Sequence, residues 1–437
     1  MMTVTAASLT KELLERHRRA LLPIQSRMLL YGDEPLAVER AKGDWLWDVE
    51  GNRYLDFFGG ILTVSIGHAN DEVNAAVEAQ IHRFGHTSTL YLNEVTIEVA
   101  EFLARVTPGR LQYSFFTSSG TEANETAVMA ARAYTGNKDI VALRHGYSGR
   151  SAGMMSLTAH STWRSGGVYD GYVKHVRSPY MGRRPKGMSE DDYLDFLVDD
   201  FRDFLDTNTD GGIAAFFAEP IQGVGGFQPA PFEYFKRIEP LVRVAGGIMI
   251  IDEVQTGWGR TGSHLCAINH WGIEPDIMTF AKGIANGAPV GATVMVPEVA
   301  EALKASTLAT YGGNAVSMAQ TLATLRYIEQ NRLWENAESQ GNRLRACLDE
   351  LAAEFDSIAD VRGMGLMQAI EFADPQSGKP DAGRATRLAE EARRRGLLIG
   401  KGGRYGNVMR IAPMLNVSSQ VMDQGLELLA ASVRAVA

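Results

Sequence analysis

The chain has 437 residues, of which 45% are hydrophobic and 22% charged, and its 43 basic and 52 acidic side chains give a net charge of −9. This composition is typical of a packed globular protein and excludes a disordered chain or a fibrous rod, while the acidic balance argues against nucleic-acid binding. The cysteines, Cys266 and Cys347, are too few for a disulfide framework and indicate a reducing compartment. No apolar stretch approaches the roughly 18 residues of a membrane span, so we expect a cytoplasmic protein without a membrane partner.

The predicted elements begin with an amphipathic surface helix at residues 11–22, whose Glu12 and Glu15 are atypical of a targeting peptide. Short apolar runs then alternate with helical patterns. The runs lie at 113–116, 140–143, 213–218, 247–251 and 277–281, and the helical patterns at 122–134, 193–205 and 231–244. This alternation predicts an α/β fold with a mostly parallel sheet, in which ligands bind beyond the carboxyl ends of the strands.

The pattern changes after residue 313. Long helical patterns at 318–330 and 333–354 precede strand patterns near 365–371 and 409–411. We therefore expect a large domain at residues 61–313 and a smaller α+β domain at residues 314–437, which the N-terminal segment 1–60 joins.

A candidate anion site lies where the first apolar run passes into a helix. Ser119, Gly120 and Thr121 would place backbone N–H groups and hydroxyls at the helix N-terminus, where the helix dipole favours an anion such as phosphate. An ordinary N-cap is the alternative interpretation.

A carboxylate, Asp252, ends the apolar run at 247–251. It could cap a helix, bind a metal or pair with a protonated heterocycle. Metal is the weaker choice because Asp252 and Glu253 point to opposite sides of a strand and no histidine lies at ligand spacing. We predict no metal site.

A single lysine, Lys282, follows the apolar run at 277–281. Such a lysine either reaches the surface along its aliphatic stem or is a nucleophilic amine whose pKa desolvation has lowered. An anion site, a strand-end carboxylate and a strand-end amine together meet the requirements of pyridoxal 5'-phosphate: a phosphate site, a counter-ion for the ring nitrogen and an amine for covalent attachment.

With these features in place, the chain resembles the class-III aminotransferases of the fold-type I pyridoxal-phosphate group from about residue 48 to 413. The matching motifs are Ser-Gly-Thr-Glu-Ala-Asn at 119–124, Glu-Pro-Ile-Gln-Gly at 219–223, Asp-Glu-Val-Gln-Thr-Gly-Trp-Gly-Arg-Thr-Gly at 252–262, Ala-Lys-Gly at 281–283 and Tyr-Gly-Gly-Asn at 311–314. The resemblance implies a large domain with a mostly parallel seven-stranded sheet, a smaller α+β domain, and a homodimer or tetramer with its active site at the subunit interface.

The resemblance also implies roles for the catalytic residues. Lys282 would bind the coenzyme covalently and move the substrate proton, Asp252 would pair with the ring nitrogen, and Glu219 would be the carboxylate before the Pro-Ile-Gln turn.

Further positions match residues that bind the coenzyme in the family. Gln255 would lie near the phenolic oxygen and Tyr147 would stack on the ring, followed by Ser148 where the family usually has histidine. Thr310 matches a phosphate contact donated by the neighbouring subunit.

Arg410, within Met-Arg-Ile-Ala-Pro at 409–413, resembles the arginine that holds the substrate α-carboxylate in a two-pronged pair. The alternative is a sheet arginine in a surface ion pair. Relatives that act on ω-amino groups mask this arginine with a glutamate where this chain has Val224. We therefore expect ping-pong transfer of an amino group between a small α- or short β-amino acid and a 2-oxo acid.

The stretch at 54–68 and His-Thr-Ser-Thr at 86–89 are most similar to the alanine:glyoxylate and 3-aminoisobutyrate:pyruvate subgroup. That similarity implies Ile61, Thr63 and Leu90 near the substrate. Arg150 departs from the subgroup: it is either a second carboxylate clamp, which keeps 2-oxoglutarate open as co-substrate, or a structural arginine.

Three other functions stay open. An ω-aminotransferase using 2-oxoglutarate is one. A dialkylglycine decarboxylase is another, although Ile61 stands where that enzyme has a glutamine that helps to hold the carboxylate. The third is a catalytically silent coenzyme-binding protein, against which the joint presence of Lys282, Asp252 and Arg410 argues.

Overall fold

A computed structural model describes residues 6–31, 34–167 and 169–436. Its α-helices are α1 Ala6–Ala20, α2 Pro23–Arg27, α3 Gly59–Leu62, α4 Asp71–Arg83, α5 Glu94–Val106, α6 Gly120–Thr135, α7 Ala152–Leu157, α8 Glu190–Asn208, α9 Tyr234–Val244, α10 Pro297–Glu301, α11 Ala315–Gln330, α12 Leu333–Glu354, α13 Ala382–Arg394 and α14 Ser419–Val436. Short 3₁₀ turns lie at Ser161–Trp163, Met181–Arg183, Ala267–Trp271 and Lys282–Ala285.

The strands are β1 Val38–Lys42, β2 Trp45–Asp48, β3 Arg53–Asp56, β4 Tyr113–Thr117, β5 Ile140–Leu143, β6 Val173–Val176, β7 Ala215–Ala218, β8 Ile221–Gln222, β9 Gln228–Pro229, β10 Ile248–Asp252, β11 Ile277–Phe280, β12 Gly291–Met295, β13 Ile358–Met364, β14 Met367–Phe372, β15 Leu397–Leu398, β16 Gly400–Gly402 and β17 Val408–Ile411.

The central sheet has seven strands in the order β4-β12-β11-β10-β7-β5-β6. Strand β12 runs antiparallel to both neighbours, β4 and β11, whereas the remaining pairs are parallel. Every residue of β5, β7, β10 and β11 is buried, because helices cover both faces of such a sheet. The prediction of an α/β fold with a mostly parallel seven-stranded sheet is confirmed.

Two four-stranded sheets flank this core, in the orders β1-β2-β3-β15 and β13-β14-β17-β16. Strand β3 pairs in parallel with β15, with Leu55 opposite Leu397, so the N-terminal segment joins the C-terminal part of the chain. Helix α11 packs on α4, α5 and the turn that begins at Lys282. The domain limits at residues 60 and 313 stay predictions.

No helix among the described residues is long and apolar enough to cross a membrane.

Candidate active site

A pocket of about 210 Å³ lies at the carboxyl edge of the central sheet. The first turn of α6 follows β4, and residues after β5, β7, β10 and β11 complete the wall. This is where the topology of a parallel sheet concentrates ligand-binding residues. The pocket brings together seven predicted site residues: Gly120, Thr121, Tyr147, Glu219, Asp252, Gln255 and Lys282.

Lys282 is the first residue of the turn that follows β11, and its φ of 46° lies in the left-handed region. A non-glycine residue in this region is uncommon and often marks a functional position. Burial lowers the pKa of the Lys282 amine from 10.5 to about 8, against the opposing effect of Asp252 and Glu219. The amine is therefore partly neutral near physiological pH, as a nucleophile or proton acceptor must be.

Asp252, which is only 3% exposed, is held by two donors. Asn124 Nδ2 donates to Oδ2 at 2.8 Å, and the Val254 N–H donates to Oδ1 at 2.9 Å. Burial raises the pKa of the carboxyl, whereas both donors and the charge of Lys282 lower it. A buried carboxylate at this position is suited to a cationic partner.

Asn124 is a residue that the sequence prediction did not single out. Besides holding Asp252, it donates to the Ser148 carbonyl oxygen at 3.0 Å and so ties α6 to the loop after β5. Its position one helical turn after Gly120 is the signal that places it on the same face of α6.

Glu219 directly follows β7 and accepts hydrogen bonds from the Tyr147 N–H at 3.0 Å and the Gly223 N–H at 2.9 Å. Burial, reinforced by the charge of Asp252, raises the pKa of Glu219 to about 8 in spite of these donors. Burial and the charge of Asp252 thus favour the protonated form of Glu219, which limits the negative charge that the pocket holds.

Gln255 supplies the observation that tests whether a ligand fits here. Its Oε1 is buried and has no hydrogen-bond partner among the described residues. The amide packs closely against the Gly223 backbone, where a Cβ would overlap its Oε1. Since turning the amide exchanges donor and acceptor, Gln255 can offer either to a ligand that enters.

Tyr147 lines the same pocket and makes an edge-to-face contact with Trp163, with ring centroids 5.4 Å apart. Trp163 was not predicted as a site residue, because its short 3₁₀ turn carries no recognisable motif. The pocket thus combines a flat aromatic wall, a helix N-terminus, an unpartnered amide atom, a buried carboxylate and an amine. These groups fit an aromatic aldehyde that carries a phosphate, which is the chemistry of pyridoxal 5'-phosphate.

Arg410 lies on β17 and is 6% exposed. Its Nη2 donates to the Lys401 carbonyl oxygen at 2.9 Å, while Nε and Nη1 are buried without a partner among the described residues. The guanidinium lies over the rings of Phe58 and Phe227, and burial lowers its pKa to about 10. This buried arginine is not in the surface ion pair that was the alternative interpretation.

The other predicted site residues do not line this pocket. The Ser119 hydroxyl accepts from the Glu122 N–H at 3.2 Å and so caps α6. Thr310 and Arg150 are exposed, and Arg150 makes no hydrogen bond or ion pair within the described ranges. Ile61 is exposed, with the Thr63 hydroxyl donating to its carbonyl oxygen at 3.4 Å.

In the described part of the chain, no group of three or more His, Cys, Asp and Glu residues is placed to hold a metal ion. Fold and site together define a coenzyme-dependent enzyme that acts on amino groups.

Comparison with known proteins identifies the family. The class-III aminotransferase family matches residues 31–433. The chain is 42% identical over 389 residues to the mitochondrial alanine–glyoxylate aminotransferase 2 homolog 2 of Arabidopsis thaliana, covering 87% of this chain and 79% of that protein. It is 35% identical to the 5-aminovalerate aminotransferase of Pseudomonas aeruginosa, covering 97% and 98%.

Among solved structures, an (S)-enantioselective ω-transaminase from Thermomicrobium roseum superposes with a TM-score of 0.90 at 34% identity, covering all of both chains. The chain belongs to the class-III aminotransferases. It is an aminotransferase that moves an amino group between an amino acid and a 2-oxo acid, and its coenzyme is pyridoxal 5'-phosphate.

Proposed function

We propose that the enzyme transfers the amino group of a small α- or short β-amino acid to pyruvate or glyoxylate, with both substrates placing a carboxylate on Arg410. The observation that carries this proposal is the buried guanidinium with two unpartnered nitrogens, since burying a charge without a partner is costly unless a ligand supplies one. A substrate carboxylate would form the two-pronged pair.

Position 224 supports the same proposal. The Val224 carbonyl oxygen accepts from the Gly403 N–H at 3.1 Å, and the adjacent Gly402 lies so close to Arg410 that a Cβ there would be 2.6 Å from Nε. Val224 thus adjoins the strand connection that packs on the arginine, and its side chain cannot form an ion pair. Arg410 accordingly stays available in both half-reactions.

The pocket residues divide the chemistry among them. Bound coenzyme supplies an electron sink for the charge left on the substrate carbon when its proton leaves. Lys282 Nζ would hold the coenzyme until the amino group of the substrate displaces it, and the freed amine would then accept that proton and return it. Asp252, fixed by Asn124 and the Val254 N–H, would pair with the protonated ring nitrogen. Glu219, whose protonated form burial favours, would limit the negative charge beside Asp252.

Coenzyme contacts are proposed for the remaining predicted residues. Gly120 and Thr121 at the start of α6 would bind the phosphate, with Ser119 supporting them as the helix cap. Gln255 would bind the phenolic oxygen, and Tyr147 would cover the ring.

A homodimer is proposed from one continuous surface. Asn314 Nδ2 donates to the Gly85 carbonyl oxygen at 3.0 Å, and Thr96 Oγ1 donates to the Gly313 carbonyl oxygen at 3.0 Å, so segments 85–96 and 310–314 pack together. This surface exposes a run of large apolar side chains, which in a single chain marks an interface: Leu90, Tyr91, Leu92 and Tyr311. Thr310 is exposed within the same segment, and we propose that it contacts the coenzyme phosphate of the neighbouring subunit.

The other proposals are finer. Arg150, free of partners in the described chain, would bind a distal carboxylate and would make 2-oxoglutarate or glutamate a possible co-substrate. Ile61 and Thr63 would border the substrate, where Ile61 gives no donor to a carboxylate awaiting decarboxylation. A cytoplasmic location is proposed from the two unpaired cysteines.

The experiment compares Val224→Glu with Val224→Gln and wild type. We expect the glutamate variant to pair with Arg410 and to lower kcat/KM for alanine with glyoxylate roughly tenfold to a hundredfold. The uncharged Val224→Gln variant should lower this kcat/KM much less. For isopropylamine, an amine without a carboxylate, both variants should lower kcat/KM equally little. Unchanged alanine kinetics in Val224→Glu would contradict the proposal.

A further inference from the structure

A second cavity, of about 610 Å³, lies at the carboxyl edge of the same sheet, beyond its outer strands. Its wall is formed by residues that follow β5 and β6 and by the connection between β16 and β17. It shares no lining residue with the coenzyme pocket. Ligands of such sheets bind at this edge, so the position is suited to a second site.

Five arginines line this cavity, and no aspartate or glutamate does: Arg144, Arg164, Arg177, Arg183 and Arg404. The whole chain has a net charge of −9. A concentration of one sign of charge around a concave site in an acidic protein therefore creates a local positive field.

The charges of these arginines are mostly not neutralised within the chain. Arg177 Nε donates to Asp200 at 3.0 Å, whereas Arg164 donates only to the carbonyl oxygens of Thr158 and Ser156. The guanidinium groups of the other three make no hydrogen bond or ion pair in the described ranges; that of Arg404 lies over the Tyr405 ring, 5.1 Å from its centroid. Four guanidinium groups thus face a shared space without a carboxylate partner.

The histidines of the cavity report the same field. Burial, followed by the charges of Arg183 and Arg404, lowers the pKa of His145 to about 4. Burial and the charge of Arg404 also lower the pKa of His160. Burial likewise lowers the pKa of His175, the third histidine of the wall. The neutral form is therefore favoured in all three rings, and arginine supplies the positive charge.

Gln222 separates the two sites. It accepts from Ser178 Oγ of the cavity at 2.5 Å and donates to the Arg144 carbonyl oxygen at 2.8 Å. Three residues earlier, Glu219 belongs to the coenzyme pocket. A ligand of the cavity is accordingly distinct from the coenzyme.

We propose that this cavity binds a small polyanion, a molecule that carries two or more phosphate or carboxylate groups. The planar guanidinium groups form paired hydrogen bonds with either kind of oxygen anion. One anionic group would leave most of the four unneutralised charges without a partner, whereas several groups on one small molecule can satisfy them together.

The test is calorimetric titration of the coenzyme-loaded enzyme, in which the coenzyme phosphate site is already filled. The probes are inorganic tripolyphosphate and, separately, citrate. We expect saturable binding of at least one probe with one site per chain. The tighter probe tells whether phosphate or carboxylate groups are preferred, and either answer supports the proposal.

Matched variants decide whether the cavity is the site. Arg183→Gln and Arg404→Gln should each weaken binding roughly tenfold or more, because each removes a charged hydrogen-bond donor. Arg345→Gln, which removes an equal charge from an exposed pair with Asp349, should leave it unchanged. If the thermal unfolding midpoint of either cavity variant falls below that of the wild type, Arg144→Gln is measured in its place. Absence of saturable binding, or equal weakening by Arg345→Gln, would overturn the proposal.

Discussion

The pKa of the Lys282 amine is set by opposing effects. Burial disfavours its charged form and the Arg410 charge acts in the same sense, whereas Asp252 and Glu219 favour it. Burial prevails and brings the pKa to about 8. Burial also raises the pKa of Glu219, and a proton on that carboxyl weakens its effect on Lys282.

This pKa predicts how coenzyme attachment depends on pH. Only the neutral amine attacks the coenzyme aldehyde, so the attachment rate to coenzyme-free enzyme should rise with pH and level off near the pKa of about 8. Stopped-flow absorbance from pH 6 to 10 measures it. The control is Nα-acetyllysine, a lysine of ordinary pKa, whose reaction rate with the coenzyme should keep rising up to a pH of about 10.4. The same pH dependence in the enzyme would contradict the account.

At the scale of elements, the strands that carry the site were predictable from sequence. Apolar runs at 140–143 and 277–281 correspond to β5 and β11, Ile140–Leu143 and Ile277–Phe280. Buried parallel strands have continuous apolar sequences. Asp252 at the end of β10 and Lys282 after β11 were recognised because each is a polar residue that ends such an apolar run. The positions of site residues at strand ends thus follow from local pattern and topology together.

What the sequence could not predict depends on contacts between distant segments. Strand β12, Gly291–Met295, was missed, and its antiparallel pairing with β4 joins residues far apart along the chain. The cavity arginines were missed for the same reason, since Arg144 and Arg404 lie in turns that follow strands of different sheets, β5 and β16, and only tertiary structure brings them together. Ser119 shows the converse: its capping of α6 was an open alternative, and the hydrogen bond to the Glu122 N–H is local.

At the scale of the whole molecule, the surface around Thr310 is the feature that a single chain leaves unexplained. Leu92 is 95% exposed beside Tyr91 and Leu90, and burial of such a patch favours association. If Thr310 serves the neighbouring subunit, each active site combines residues from two chains.

Mixing inactive variants tests this arrangement. A Lys282→Ala chain and a Thr310→Glu chain, whose new charge should repel the phosphate, are each expected to be nearly inactive. In a mixed dimer one site carries both lesions and the other neither, so random mixing should restore about a quarter of wild-type activity. Thr307→Glu, an exposed neighbour, is the control for the added charge. Activity no higher than that of the separate variants would place Thr310 outside the partner's site.

The most direct test of coenzyme attachment begins with borohydride reduction of the coenzyme-loaded enzyme. Peptide mass spectrometry then locates the residue that carries the reduced coenzyme. We expect the phosphopyridoxyl group on Lys282, the lysine that follows β11 in the pocket with Asp252, and none in Lys282→Ala. Label on another lysine, or none in the wild-type protein, would contradict the account.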